Sequence, residues 1–353
     1  MSDNRGQMPD AAILVNGSTL PNDAAGHLLE VTVDEDVAVP SMFLLRFAEG
    51  DDVADGFRWV DDAGLFSVGN AVEIRLGYFG ALATLMKGEI TALEPEFAAD
   101  RRPSLTVRGY DRRHRLQRGR KTRTFLKEKD SAIAEQVGAA AGLSVNATDT
   151  AVTHEYVVQN NLTDLELLQE RAALLDYEVV VEDKTLFFRP AGNSKDAVLT
   201  LTLYDDLTEF SPRLSTRGLV TGVVVRGWDP VKKEVIEGKA GGSDLVSRMG
   251  GAQSGAALVQ AAFGEAALVE VEHPVMSQAE ADAVARGVFN RNALELIVGD
   301  GACAGAPDLR AGTVIALHGL GARFSGAYYV TRAVHRFTVD GYETRFQVRR
   351  TAL

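Results

Sequence analysis

Ser-Leu-Thr-Val-Arg-Gly-Tyr-Asp, residues 104–111, runs without a break into Arg-Arg-His-Arg-Leu-Gln-Arg-Gly-Arg-Lys-Thr-Arg, residues 112–123. In the first half Leu105 and Val107 alternate with Thr106 and Arg108, the period of a half-buried strand. The second half holds six arginines, one lysine and no acidic residue. Beyond it the sequence predicts two helices, Asp130–Gly142 and Thr163–Asp176. On both sides of this middle stretch the chain reads as short strands, so the middle is a connector between two β-modules.

Toward the N-terminus, alternation marks strands at Leu29–Val33 and Asn70–Tyr78, Met42–Phe47 is an apolar run between them, and Leu85–Leu93 and Ser104–Tyr110 follow. Bounded by Gly, Pro and Asp turns, this set suits a small antiparallel barrel or sandwich. Residues 1–25 are polar, and only Ile13–Val15 reads as a strand there. In the connector, Thr163-Asp-Leu-Glu166 has the pattern of a capping box. Leu165, Leu168, Ala172 and Leu175 follow as an apolar stripe at helical spacing. Ser277-Gln-Ala-Glu280 repeats the capping pattern ahead of a helix to about Arg291. Gly238–Ala257 reads as a mobile Gly- and Ser-rich loop.

Three segments recur in the same order. Val68-Gly-Asn-Ala-Val-Glu-Ile-Arg-Leu76 echoes Ala311-Gly-Thr-Val-Ile-Ala-Leu-His318. The strand from Gly88 to Phe97 echoes that from Gly326 to Phe337, and Ser104–Arg108 echoes Thr344–Arg350. Self-similarity of this kind marks repeated units. The fold class is therefore mainly β with an α/β connector: two related small antiparallel β-barrels joined by a helical linker region. The boundaries expected are a polar segment (1–26), the first barrel (27–111), the connector (112–195), the second barrel in two parts (196–232 and 293–353), and a Gly-rich loop and helix insertion (233–292).

The chain has 353 residues, enough for about two domains. A formal net charge of −12 opposes nucleic acid as the main partner, because phosphate contact needs a clustered positive field. The single cysteine, Cys303, excludes an intrachain disulfide framework. The first residues lack the apolar core of a Sec-type signal peptide. No apolar run approaches the ~18 residues of a membrane span. The expectation is a soluble chain with no membrane anchor, folding where it is made.

Catalytic patterns are sparse. H-E-x-x-H, G-x-S-x-G and Walker A runs do not occur, and His154-Glu155 lacks the second histidine of a zinc motif. Asp51, Asp55, Gly56 and Asp62 imitate part of an EF-hand, but Val53 and the missing terminal glutamate favour a solvated turn. Glu94 and Glu96 are imaginable as a glycosidase pair, yet they share one strand face with no evident cleft. Gly299–Gly305 and Gly319–Gly326 read as loop punctuation. Catalytic, cofactor-binding and metal residues are thus all expected to be none. The basic run has no aromatic stacking platform, which favours a solvated linker or a face toward an acidic protein.

Taken in order, Val107-Arg-Gly-Tyr-Asp111 with its basic segment, Thr124-Phe125, Gln159–Leu168, Arg171-Ala172 and Leu186-Phe-Phe-Arg-Pro190 resemble a known family. Gly326-Ala-Tyr-Tyr-Val-Thr331, His335 and Gly341–Arg350 resemble its closing hairpin. The family is that of the baseplate hub proteins of contractile phage tails, the late control gene D proteins. Its relatives include the hub part of type VI spike proteins and of contractile injection systems. The resemblance implies two β-barrels joined by an α/β connector, and a homotrimer whose six barrels let a hexameric tail tube sit on a threefold spike. Its implied partners are the tail tube protein, the spike protein and other baseplate proteins, with no nucleic acid. It also implies a hub without enzymatic activity, made in the cytoplasm and assembled into a phage tail or injection particle. Where the sequence departs from the fused spike proteins, with no stretch for a β-helical needle after Leu353, the spike is expected to be a separate polypeptide. Candidate contact residues are Asn70, Arg101, Arg102, Arg112, Arg113 and Thr313. A tail-associated cell-wall hydrolase and a nucleic-acid-binding β-barrel protein are the rival readings.

Overall fold

The computed structural model describes residues 8–49, 56–229 and 232–353. Asp51 and Asp55 of the EF-hand-like loop lie outside them. The first strands are β1 (Pro9–Val15), β2 (Ser18–Thr19), β3 (Leu28–Asp36), β4 (Met42–Ala48), β5 (Ala71–Tyr78), β6 (Ala81–Glu96) and β7 (Ser104–Tyr110), with helix α1 (Asn22–Gly26) between β2 and β3. The connector holds β8 (Lys121–Lys129), α2 (Asp130–Ala140), β9 (Ser144–Ala147), β10 (Thr153–Leu162), α3 (Asp164–Leu175), β11 (Tyr177–Glu182) and β12 (Thr185–Pro190). Then come β13 (Ala197–Thr202), β14 (Leu207–Leu214), β15 (Gly222–Asp229), β16 (Glu234–Gly241), α4 (Gly255–Phe263), β17 (Ala267–Glu270) and α5 (Gln278–Ala293). The chain ends with β18 (Ile297–Ala304), β19 (Val314–His318), α6 (Gly321–Phe324), β20 (Gly326–Thr338) and β21 (Gly341–Arg350). The protein is mainly β, as its alternating patterns require.

The echoed segments become two antiparallel meanders, β5-β6-β7 and β19-β20-β21. The likeness extends beyond them. The first module orders its strands β3-β4-β7-β6-β5-β1, and the second β14-β18-β21-β20-β19-β13. Bulges fall at corresponding places, between Ile90 and Ala92 as between Val330 and Arg332, and between Leu28 and Glu30 as between Leu207 and Glu209. One step differs: β1 meets β5 antiparallel, whereas β13 meets β19 parallel.

The strand pairings among the described residues do not close each module into a separate barrel. They run through both as one 13-stranded sheet, because β20 also pairs with β3. Its first residues, Gly326–Tyr329, bond to β19, and Arg332–Thr338 on the same side bond to β3. Each module keeps its own core. Val31, Val33, Phe43, Leu45, Ile74, Leu76 and Val107 are among the residues filling the first. Leu201, Ile297, Ile315, Tyr328, Val330 and Val348 belong to the second.

Several expectations change. Residues 9–26 are no loose polar segment. β1 spans Pro9–Val15 and pairs with β5, and Ile13, Val15, Leu20 and Ala24 are buried in the first core. Gly238–Ala257 is no single mobile loop: its start is the end of β16, and from Gly255 it is α4. Gly238 serves close packing, since a Cβ there would stand 2.2 Å from the backbone carbon of Ala281 in α5. Gly299–Gly305 is mostly the strand β18. Its glycines make room for rings, a Cβ on Gly301 falling 2.4 Å from the Phe346 ring.

In the connector, α2 buries Ile133, Ala134 and Val137, and α3 buries Leu165, Leu168 and Ala172, against β11 and β12. The capping box at α3 is complete: Thr163 Oγ1 accepts from the Glu166 amide at 3.1 Å, and Glu166 Oε2 accepts from the Thr163 amide at 2.7 Å. Thr163→Ala should therefore lower stability by about 1 kcal/mol in urea melts, with Thr163→Ser close to the parent. An unchanged midpoint for the alanine variant would remove the cap from the account. At α5 only half of the box forms. Ser277 Oγ accepts from the Glu280 amide at 3.2 Å, while the Glu280 carboxylate is turned to other partners.

Candidate functional site

The first two arginines of the basic run are turned inward, while Arg115, Arg118, Arg120 and Lys121 stay exposed. A 3₁₀ turn, Arg112–Gln117, follows β7, and Arg112 and Arg113 are buried, Arg113 to 1% exposure. Arg113 Nε donates to Asp111 Oδ2 at 2.8 Å, and its other nitrogens donate to the carbonyls of Val179 and Asp36 and to Ser41 Oγ. One side chain thus holds the β3–β4 corner, the end of β7 and β11 together. Arg112 donates to Glu89 Oε1 at 3.1 Å and to Asp183 Oδ1 at 2.6 Å. Burial would raise the Glu89 carboxyl, but hydrogen bonds from Arg115 and His114, with the charges of Arg115 and Arg112, outweigh it. They hold Glu89 down to about 2. These arginines join the first module to the connector, so Arg112 and Arg113 are not partner-facing residues. A buried cation needs its counter-charge from elsewhere in the chain, and composition does not reveal where that lies.

A second buried cluster joins the connector to α5. His154 Nδ1 lies 2.9 Å from Glu280 Oε1 and its Nε2 lies 3.0 Å from Asp130 Oδ2. Arg171 Nε donates to Asp130 Oδ1 at 2.5 Å. Burial alone would depress the imidazole; bonding to the two carboxylates overrides that and raises it to about 9. His154 is thus an internal cation bound to both acids.

The β20·β3 seam carries its own charge pattern. Arg332 donates through two nitrogens to Asp34, at 2.8 and 2.6 Å, and Arg336 Nε donates to Glu30 Oε1 at 2.8 Å. Arg310 pairs with Glu35 nearby. Tyr78 Oη donates to the Gly305 carbonyl at 2.9 Å, tying β5 to the second module. The sequence shows this seam only as acids at Glu30 and Asp34 and bases at Arg332 and Arg336, each pair four residues apart on one strand face.

Asn70 and Thr313 occupy equivalent places. Gly69 N donates to Ile90 O, whose amide donates to Asn70 O; likewise Gly312 N donates to Val330 O, whose amide donates to Thr313 O, each at 2.8–2.9 Å. Both glycines have positive φ, 95° and 82°. The side chains are used locally: Asn70 Nδ2 donates to the Leu65 carbonyl at 3.0 Å and Thr313 Oγ1 to the Arg310 carbonyl at 2.7 Å. Arg101 and Arg102 are exposed, Arg101 pairing with Glu96.

Of the groups singled out in the sequence, Cys303, Glu94 and Glu96 are buried or held in ion pairs. Cys303 is buried and its thiol is pushed up to about 12, first by burial. Glu94 and Glu96 are exposed, with Glu94 held by Arg108 and Glu96 by Arg101. Among the described residues no group of three or more His, Cys, Asp or Glu side chains is placed to hold a metal ion. A cavity of about 410 Å³ at the junction holds Asp176 and Glu178, which burial raises to about 6 and about 7.

A family model described as the Alg8 N-terminal domain matches residues 5–338. No curated protein matches the sequence. Among solved structures, the 43 kDa tail protein of prophage MuSo2 from Shewanella oneidensis is similar over 97% of this chain and 98% of its own, with 14% identity and a TM-score of 0.70. A tail protein from Neisseria meningitidis MC58 is similar over 97% and 96%, at 12% identity and a TM-score of 0.69. An Escherichia coli component of the type VI secretion system, described as structurally similar to T4 bacteriophage tail proteins gp27 and gp5, is similar over 96% of this chain and 77% of its own. Its identity is 14% and its TM-score 0.63.

Proposed function

The chain belongs to the Alg8 N-terminal domain family; from the fold it shares with phage tail proteins, we propose that it is the structural baseplate hub of a contractile tail or contractile injection system. In this reading three copies close into a ring. The hexameric tail tube docks on one side, and the spike on the other. The protein is made in the cytoplasm and assembled into the particle together with other baseplate proteins. Its work is geometric, with no reaction carried out.

The observation that carries this reading is the internal duplication, which extends to two matched bulges. One chain presents the same six-strand order twice, so three chains offer six similar faces while keeping threefold symmetry. Closed cyclic assemblies are the common form of oligomer. Asn70 and Thr313, which occupy equivalent turns, and the loop carrying Arg101 and Arg102 are the candidate tube contacts. Light scattering on a complex of this chain with its spike should report three copies. A stable complex holding one, two or six would overturn the adaptor reading. A zymogram on purified cell wall should stay blank, and clearing would favour a hydrolase instead.

A further inference from the structure

The pairing of β20 with β3 has no counterpart among the described residues, although the strands for one are present. β6 is the equivalent of β20. It bonds to β5 from Ala81 to Glu89, and the Ile90 amide still reaches Asn70 O. From Thr91 to Glu96 it pairs with β7 on one side only, and its other edge has no strand partner among the described residues. β14 is the equivalent of β3. It pairs with β18, and its outer edge ends the sheet. Residues 94–96 are exposed, as are Thr208, Glu209, Ser211 and Arg213 on β14.

We propose that the free edge of β6 in one copy pairs antiparallel with the free edge of β14 in a second copy, repeating between chains the β20·β3 seam found within one. This rests on the reading that copies of the chain form a ring. The aligned bulges give the register. Glu94 corresponds to Val334 and Arg213 to Asp34, which face each other across the seam, so Glu94 falls opposite Arg213. Opposite charges on facing positions favour the pair, and like charges oppose it. The seam's own ion pairs run diagonally, Arg332 to Asp34 and Arg336 to Glu30. The corresponding places hold Ala92 with Arg213 and Glu96 with Glu209, so the charge match of the new pairing rests on Glu94 and Arg213. Docking β6 onto β3 by mistake would set Glu94 against Asp34, acid against acid. Pro95 falls opposite Pro212, so the missing amides coincide and cost the new ladder at most one rung. In the free chain the same prolines and charges guard both edges against indiscriminate pairing.

Disulfide trapping tests this on the full chain carrying both Glu94→Cys and Arg213→Cys. Directly opposed strand residues hold their Cβ atoms about 4.5–5.5 Å apart, near enough to bridge with small adjustments. Native Cys303 is buried and takes no part. Mild oxidation should give intermolecular products in about tenfold or greater excess over a Glu94→Cys with Tyr204→Cys control, as expected when assembly raises the local thiol concentration. Tyr204 is 96% exposed and lies outside β14. The ladder of products should end at a closed species of three chains. A closed ladder ending at another number keeps the strand pairing and overturns the three-copy ring. No excess over the control overturns the pairing, and light scattering on the same sample then decides separately whether three copies still assemble.

Discussion

Replacing Arg113 with methionine should lower folding stability by about 3–5 kcal/mol, the usual cost of removing one partner from a buried ion pair. The guanidinium is 1% exposed and satisfies Asp111, the Val179 and Asp36 carbonyls and Ser41 at once. Methionine fills much of the volume but leaves the Asp111 carboxylate buried beside two carbonyls that lose a donor. Asp111 keeps its bonds from the amides of Ser41 and Arg113, at 2.8 and 2.7 Å, so the loss falls short of a fully unpaired charge. Arg113→Lys should also weaken the fold, because a lysine cannot reproduce the planar fork that spans three elements. Urea midpoints at constant slope would measure both. Arg120→Met, at an exposed ion pair with Glu166, is the control and should change stability by about 1 kcal/mol or less. If Arg113→Met melted like that control, the buried network would be incidental to how the modules are joined.

That arginine also shows where the sequence stops being informative. Strands β3, β5 and β7 are legible because they alternate apolar and polar residues, as Val31 and Val33 do with Thr32 and Asp34, and β4 because it is an apolar run. The duplication is legible because Gly69 and Gly312 need the same backbone and leave the same letters. β14 is not, since Leu-Thr-Glu-Phe-Ser-Pro-Arg-Leu has the composition of a loop; it is an edge strand, and edges tolerate proline and charge. β18 hides behind glycines whose purpose is ring packing. The basic run shows its charge but not its partners, which include Asp183, about seventy positions away. Arg310 and Glu35 are separated by 275 residues. Periodicity reports which face of an element is buried. It does not report which distant element supplies the counter-charge, and the junctions of this fold are built from such pairs.

The widest effect of pH should come through His335, which is fully buried in the second module. Its Nε2 lies 3.0 Å from the Leu309 carbonyl, to which it donates, leaving Nδ1 to accept from Tyr342 Oη at 2.8 Å. Burial first, and the Arg310 charge second, depress this imidazole to about 3. A histidine depressed in the fold contributes stability that is present above the unfolded value near 6.5 and is lost as pH falls toward the folded value. Between pH 7 and 4.5 that loss amounts to about 3 kcal/mol, at 1.36 kcal/mol per unit. The whole-protein curve will not show it alone. Asp176 and Glu178 are raised to about 6 and about 7, so their contribution runs the other way and falls as pH rises through the same window. His154, raised to about 9, holds its full contribution below 6.5 and loses it as pH climbs through 9. The informative quantity is therefore the stability gap between the parent and His335→Gln, since the carboxylates and His154 cancel in that difference. At pH 7 the variant should be less stable, because the amide replaces the ring imperfectly against Leu309 and Tyr342. On acidification to pH 4.5 the gap should narrow by about 3 kcal/mol, as the parent loses what the glutamine never had. A gap that stays constant across the window would mean His335 binds its proton without unfolding the module, and its burial would then carry no linkage to folding.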